Sequence, residues 1–191
     1  MNIENDIIIL DDFIEKNYQD YLDNLLTSNV FQWYYYEKTS SVNNFEKLKY
    51  CYEASQFVHV FFDDNNKKNN IINSPYYSNV LYLLNGLQKK ILFSNCQISR
   101  IKSNLQTKLS KNTENNFTPP HIDMEEEHYV FLYYVNENDG ATFLFNDDMT
   151  IKNKILPKKG RAIIFDGKIL HSSSHPINYE KRIVINFNLK F

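Results

Sequence analysis

The sequence predicts a mainly β fold, a jelly roll or sandwich with flanking helices, and three observations predict it. From Gln97 onward, short apolar segments alternate with turn residues, which reads as eight strands in under a hundred residues. Two helical patterns lie upstream, so helices are expected to buttress one face of a sheet. The 191 residues are 42% hydrophobic and 15% aromatic, enough for one sizeable core and too few for two. One domain is therefore expected, with 1–96 as a helix-and-strand support region and 97–191 as the jelly-roll core.

The elements follow from local pattern. After a short "IIIL" strand, Asp11 or Asp12 can cap a helix whose apolar residues Phe13, Leu22, Leu25 and Leu26 join Tyr18 at helical spacing. "SQFVHVFF", 55–62, has the β-branched and aromatic bias of a strand, and "DDNNKKNN", 63–70, reads as a polar loop. Ser78 can cap a second helix with Val80, Leu83, Leu84, Leu87 and Ile91 in one stripe. Strands are then expected at 97–107, 118–122, 128–136, 141–146, 149–155, 161–165, 169–175 and 181–190. "NENDG", 136–140, is a hairpin signal, and Gly160 and Gly167 bracket "RAIIFD". In the last strand Ile183, Ile185, Phe187 and Leu189 share one face, while Arg182, Val184, Asn186 and Asn188 share the other.

Charge and cysteine usage exclude several classes. A formal charge of −2 and a pI near 6.2 give no overall basic field and argue against a nucleic-acid partner. The one basic cluster, Lys152, Lys154, Lys158, Lys159 and Arg161, reads as a solvated hairpin. Cys51 and Cys96 are too few and too far apart for a disulfide framework or a zinc knuckle and read as reduced core thiols. No segment has the character of a secretory leader or reaches the length of a membrane span, so a soluble, cytoplasmic protein is expected.

The chemistry concentrates in "FTPPHIDMEEEHYVFLYYVN". Residues two apart on a strand point the same way, so His121 and Asp123 can present an imidazole and a carboxylate to one point. His171, just after "GRAIIFDG", supplies a second imidazole. Two imidazoles and a carboxylate on one face leave half of an octahedron open, the ligand set of non-haem iron(II) oxygenases. In a jelly roll whose mouth holds such a site, the polar face of the last strand lines the pocket, and Arg182 is a fixed fork for a carboxylate.

His121-x-Asp123, "YYVNENDGATFLF", "PKKGRAIIFDGKILH" and Arg182, eleven residues after His171, together resemble the 2-oxoglutarate and iron(II)-dependent dioxygenases, prolyl 4-hydroxylase-like branch. The resemblance spans Ile98 to the end. It implies a cupin-like double-stranded β-helix, iron(II) on His121, Asp123 and His171, and Arg182 on the distal carboxylate of 2-oxoglutarate, with ascorbate as an accessory reductant. Tyr134, the second tyrosine of the "YY" pair, matches a position that shares the distal carboxylate, its alternative being a core tyrosine. Asn104, on one face with Lys102 and Gln106, matches a co-substrate contact. His175 is a rival ligand, and His171 is preferred because it comes directly off the "AIIF" strand and keeps the usual interval to Arg182. Oxidative decarboxylation to succinate and carbon dioxide would drive hydroxylation of a prolyl or other residue in a peptide or protein. A free amino acid or small metabolite, or a jelly-roll binding module without the chemistry, are the alternatives. The loops around 35–50, 63–75 and 124–128 are expected to select substrate, and Glu125–Glu127 to attract a basic one or close as a lid.

Overall fold

The structure, a computed structural model, describes residues 7–39, 48–64, 71–90 and 96–190. In chain order these form β1 (Ile7–Leu10), α1 (Lys16–Thr27), β2 (Tyr34–Tyr36), β3 (Gln56–Asp63), β4 (Ile71–Ile72), α2 (Tyr77–Lys90) and β5 (Gln97–Thr107). There follow β6 (Tyr129–Tyr134), β7 (Thr142–Phe145), β8 (Ile151–Ile155), β9 (Ala162–Asp166), β10 (His171–Ser173) and β11 (Lys181–Lys190). The larger sheet runs β1-β9-β6-β11-β5-β3-β2, with β4 added to β3, and the smaller runs β10-β7-β8. This is a jelly roll with two flanking helices, as the sequence predicts. Strands from both halves of the chain share the larger sheet, β1 beside β9 and β3 beside β5.

Alternation along β11 explains the layering. Ile183, Ile185, Phe187 and Leu189 are fully buried and pack with Leu22 and Leu26 of α1 and Val80, Leu83 and Leu87 of α2. Val184, on the opposite face, joins Leu132, Tyr134, Leu144 and Ile163 between the sheets. Both faces of β11 are therefore inside, so its polar residues Arg182, Asn186 and Asn188 are buried and must find internal partners.

Several local expectations change. Neither Asp11 nor Asp12 caps α1, which starts after Glu15 with no side-chain cap. Asp11 instead accepts bonds from Arg161 Nε at 2.6 Å and Nη2 at 3.1 Å, because the turn into α1 is docked on the β8–β9 segment by Phe13 N–H to Gly160 O. The basic cluster is correspondingly split: Lys152 and Lys154 are exposed on the β7–β8 pair, whereas Lys158, Lys159 and Arg161 turn to acids of the α1 region. Lys158 reaches Asp11 and Asp12, and Lys159 reaches Asp20 at 2.9 Å and Asp23 at 2.6 Å. Ser78 lies inside α2, and it is Ser74 whose Oγ accepts from Tyr76 N–H ahead of that helix. Leu84 of the predicted stripe is only partly buried, and Ile91 and residues 65–70 of the polar loop lie outside the described residues. Cys51 and Cys96 are free and half-buried, not in the core, and burial pushes both thiols up to about 11.

Two further differences shape the site. Residues 118–122 form no strand, since Pro119 and Pro120 lack the N–H groups a ladder needs. They form an extended arm tied to β10 by Thr118 N–H to Ser173 O at 2.8 Å and by reciprocal bonds between His121 and His171. "NENDG" closes no hairpin, because β6 belongs to the larger sheet and β7 to the smaller. It is a crossover between sheets, in which Asn138 accepts from Gly140 N–H and Asp139 accepts from Ile177 and Asn178 N–H.

His59 on β3 is a buried switch in the core. Its Nδ1 donates to Gln32 O at 2.6 Å, its Nε2 lies 2.7 Å from Ser74 Oγ, and burial lowers its affinity for a proton below the usual 6.5. The unfolded chain therefore takes up this proton first as pH falls, so stability is lost below about pH 6.5. Melting curves of wild type should move to lower temperature from pH 7 to pH 5.5, and His59→Gln should reduce that slope.

Candidate active site

The arm and β10 bring the three predicted ligands together. His121 N–H donates to His171 O at 3.0 Å and His171 N–H to His121 O at 2.9 Å, which holds the ring centroids 4.9 Å apart. Each Nδ1 faces a carbonyl that can only accept, Pro119 O at 3.1 Å for His121 and Ile169 O at 3.0 Å for His171. Both rings are thereby fixed as Nδ1–H tautomers with the Nε2 lone pair turned inward. One ligand atom from each of His121, Asp123 and His171 lies within 4.8 Å of the others. His171 Nε2 is buried without a hydrogen-bond partner and is turned to the cluster, which suits a metal ligand. The donor set fits iron(II).

His175 is not part of this cluster. Its Nδ1 donates to Thr107 O at 2.7 Å, its ring lies against Tyr52, and burial lowers its pKa. His128 and His59 are likewise buried elsewhere, each with Nδ1 on a backbone carbonyl.

Asp123 is held by more groups than the motif suggests. Its Oδ1 accepts from Arg100 Nη2 at 2.7 Å and Lys102 Nζ at 3.2 Å, and its Oδ2 from Asn186 Nδ2 at 2.8 Å and Asn188 Nδ2 at 3.0 Å. Burial alone would raise its pKa, but Lys102, His171 and Arg100 outweigh it and hold the carboxyl well below the ordinary range. His121 is pushed down to about 4 by burial, His171 and Lys102, so it is neutral and ready to ligate at neutral pH. Sequence reasoning placed Asn186 and Asn188 on the pocket face but missed Arg100 and the clamp of Lys102. The available signal was the run of polar inward positions Arg100, Lys102, Asn104 and Gln106 on one long strand.

A cavity leads inward from His121 and His171 to Arg182. Arg182 is 2% exposed, and its guanidinium bonds Gly140 O at 2.9 Å, Gln106 Oε1 at 3.1 Å and Thr142 Oγ1 at 3.0 Å. All three acceptors are neutral, two of its five N–H groups remain, and no carboxylate pairs with it among the described residues. Burying such a charge unpaired is costly, so the cavity is built for an anion. Tyr134 donates to Thr142 Oγ1 at 2.7 Å, and its ring also faces the guanidinium directly, with Arg182 Cζ 5.8 Å from the ring centroid. Asn104 stands on the cavity wall and donates to Gln56 Oε1 at 2.9 Å.

A jelly roll holding this ligand triad, with a lone buried arginine at the inner end of one cavity, defines the 2-oxoglutarate-dependent dioxygenases. Residues 107–190 match the model of the 2OG-Fe(II) oxygenase superfamily, a span that includes His121, Asp123, His171 and Arg182, and the match supports a 2-oxoglutarate-dependent dioxygenase. No curated protein sequence matches the chain. Among solved structures, an oxidoreductase of the 2OG-Fe(II) oxygenase family from Burkholderia pseudomallei is similar at TM-score 0.72 and 12% identity, covering 97% of this chain and 85% of that one. A Pseudomonas putida prolyl-4-hydroxylase is similar at 0.58 and 11%, covering 98% and 94%. The α-ketoglutarate-dependent epimerase SnoN from nogalamycin biosynthesis is similar at 0.57 and 9%, covering 97% and 78%. At these identities the likeness shows the fold.

Two outcomes test the assignment. His171→Ala should lower iron(II) affinity by at least about a hundredfold, more than loss of a group that only orients a ligand, and His175→Ala should leave it nearly intact, read by metal titration. A Cβ on Gly140 would stand 2.7 Å from Arg182 Cδ and 2.5 Å from Ser174 O. Gly140→Ala should therefore displace the guanidinium and weaken 2-oxoglutarate binding while iron binding persists.

Proposed function

We propose that the protein hydroxylates a prolyl or other residue of a peptide or protein. The observation that carries this reading is an open groove of about 570 Å³ that reaches His121 and Asp123 from outside. Its floor is Tyr36 at the end of β2, Val58 and Val60 of β3 and Arg100 of β5, with Ile122 as its wall. It exists because the smaller sheet has three strands and the larger one extends past it through β5, β3 and β2. An open trench across three strands suits a segment of a longer chain, whereas small-molecule sites usually enclose most of their ligand. The likeness to a prolyl-4-hydroxylase supports the same substrate class, as an analogy of fold.

The residues divide the work. His121, Asp123 and His171 would hold iron(II), and the two asparagines of β11 keep the Asp123 carboxylate turned toward the imidazoles. Iron(II) with 2-oxoglutarate supplies activation of dioxygen and oxidation of a C–H bond, with release of succinate and carbon dioxide. Arg182 would pair its two remaining N–H groups with the distal carboxylate. Tyr134 acts through Thr142, fixing the hydroxyl that Arg182 leans on, and Asn104 bounds the cavity on the β5 side. Substrate then enters by the groove, from the side opposite Arg182. No nucleic-acid reading is favoured, since Lys158, Lys159 and Arg161 are occupied by acids of the first helix and its approach.

Arg182→Ala should retain iron and lose about 2–5 kcal/mol of 2-oxoglutarate binding, the usual cost of truncating a buried charge pair. Arg182→Lys should lose less. Titration of 2-oxoglutarate into the anaerobic iron complex, followed by its metal-to-ligand absorption band, measures both. Succinate release stimulated by peptide pools above free amino acids supports the peptide reading, and the reverse order selects the small-molecule alternative.

A further inference from the structure

Resting on the oxygenase reading above, we propose that Lys102 is a specificity-determining residue that selects a substrate bearing a carboxylate close to the oxidised carbon. Lys102 lies midway along β5 with its side chain 18% exposed, and it lines both the cavity that ends at Arg182 and the open groove. Its ammonium thus stands where co-substrate and substrate would meet. A role confined to Asp123 does not account for it. Asp123 Oδ1 already takes the shorter bond from Arg100, 2.7 Å against 3.2 Å, and Oδ2 is served by two amides. An ammonium has three donors, and Asp123 is the one partner of Lys102 among the described residues. The remaining donors are available to an acceptor arriving from the groove.

Charge points the same way. Among the described residues lining cavity and groove, the cations are Lys38, Arg100, Lys102 and Arg182, and the carboxylates are Glu37, Asp63 and Asp123. The two positive charges of iron(II) and the two negative charges of 2-oxoglutarate cancel, so the loaded site keeps one positive charge in excess. A carboxylate on Lys102 offsets that remaining charge and supplies a charge-assisted hydrogen bond at the same time. The carboxylate can belong to an acidic side chain next to the acceptor residue of a polypeptide or to a free amino acid, and the same experiment separates these sources.

The test uses anaerobic protein loaded with iron(II) and 2-oxoglutarate, with the metal-to-ligand band as the readout. The probes are acetylated, amidated peptide pools carrying Asp or Glu at one position, matched pools carrying Asn or Gln, and free aspartate and glutamate. The acidic pool should perturb the band at a concentration at least tenfold below that of the amide pool. Lys102→Gln should abolish that preference and Lys102→Arg should keep it, each compared on protein shown by metal titration to be fully iron-loaded. Free acids binding more tightly than the acidic pool would uphold the carboxylate and assign it to a small molecule. Equal binding of acidic and amide pools, no perturbation by any probe, or a preference that survives Lys102→Gln would each overturn the proposal. Failure of the oxygenase reading would be visible separately, as a wild-type protein that never forms the band.

Discussion

Two reciprocal backbone hydrogen bonds, between His121 and His171, carry the geometry of the active site. They join an arm that has no ladder of its own to the first residue of β10. Backbone groups cannot change rotamer, so once the pair forms the two imidazoles are neighbours whatever their side chains do, and the carbonyls two residues upstream of each histidine set the tautomer. The arm is further pinned by Phe117, whose ring lies 5.5 Å from Phe143 and 5.2 Å from Phe145 of β7. The smaller sheet, three strands wide, is thus the anchor of the ligand set, and its pairing of β10 with β7 from His171 to Ser173 underlies it.

The opposite sheet contributes polarity where a protein of this size would ordinarily place apolar side chains. Arg100, Lys102, Asn104 and Gln106 of β5 face Arg182, Asn186 and Asn188 of β11 across the register of one antiparallel pair. Each buried polar group needs a partner, and most have one, from Gln106 on Arg182 to the asparagines on Asp123. Of the buried polar atoms without a partner among the described residues, Asn186 Oδ1 on this face and His171 Nε2 and Ser172 Oγ across from it belong to residues that line the cavity, while others, such as Ser99 Oγ and His128 Nε2, lie away from it. Stability given up along this face is the ordinary consequence of preorganising a site. The helices compensate on the other face, where the core of β11 is dry and aliphatic.

The fold was legible where periodicity is strong. β5 and β11 coincide with their expected limits because alternation over ten or more residues leaves no other reading, and the clustering of His121, Asp123 and His171 was legible because H-x-D and the later histidine flank recognisable strands. Apart from the 118–122 strand, which its two prolines preclude, the failures come from competition by distant partners. Asp11 has the composition of a helix cap, yet Arg161, 150 residues away, offers it a bidentate charge pair instead. "NENDG" has the composition of a tight turn, yet its asparagines serve a change of sheet. Arg100 was missed as a site residue because the polar run along β5 marks a face but not a partner, and the partner, Asp123, lies 23 positions away.

The pairing of β1 with β9 has a kinetic consequence. Ile7 to Leu10 find their partners only at Ala162 to Phe165, so the first described strand waits for nearly the whole chain before it can be hydrogen-bonded. Closure over such a separation is slow relative to local helix formation. Without that pairing β9 presents an open edge carrying Ile163, Ile164 and Phe165, the kind of surface that templates association with another chain. The sticky margin of β9 is therefore covered only when Ile7 to Leu10 dock on it, and the yield of folded protein depends on how quickly that long-range closure follows the rest of the sheet.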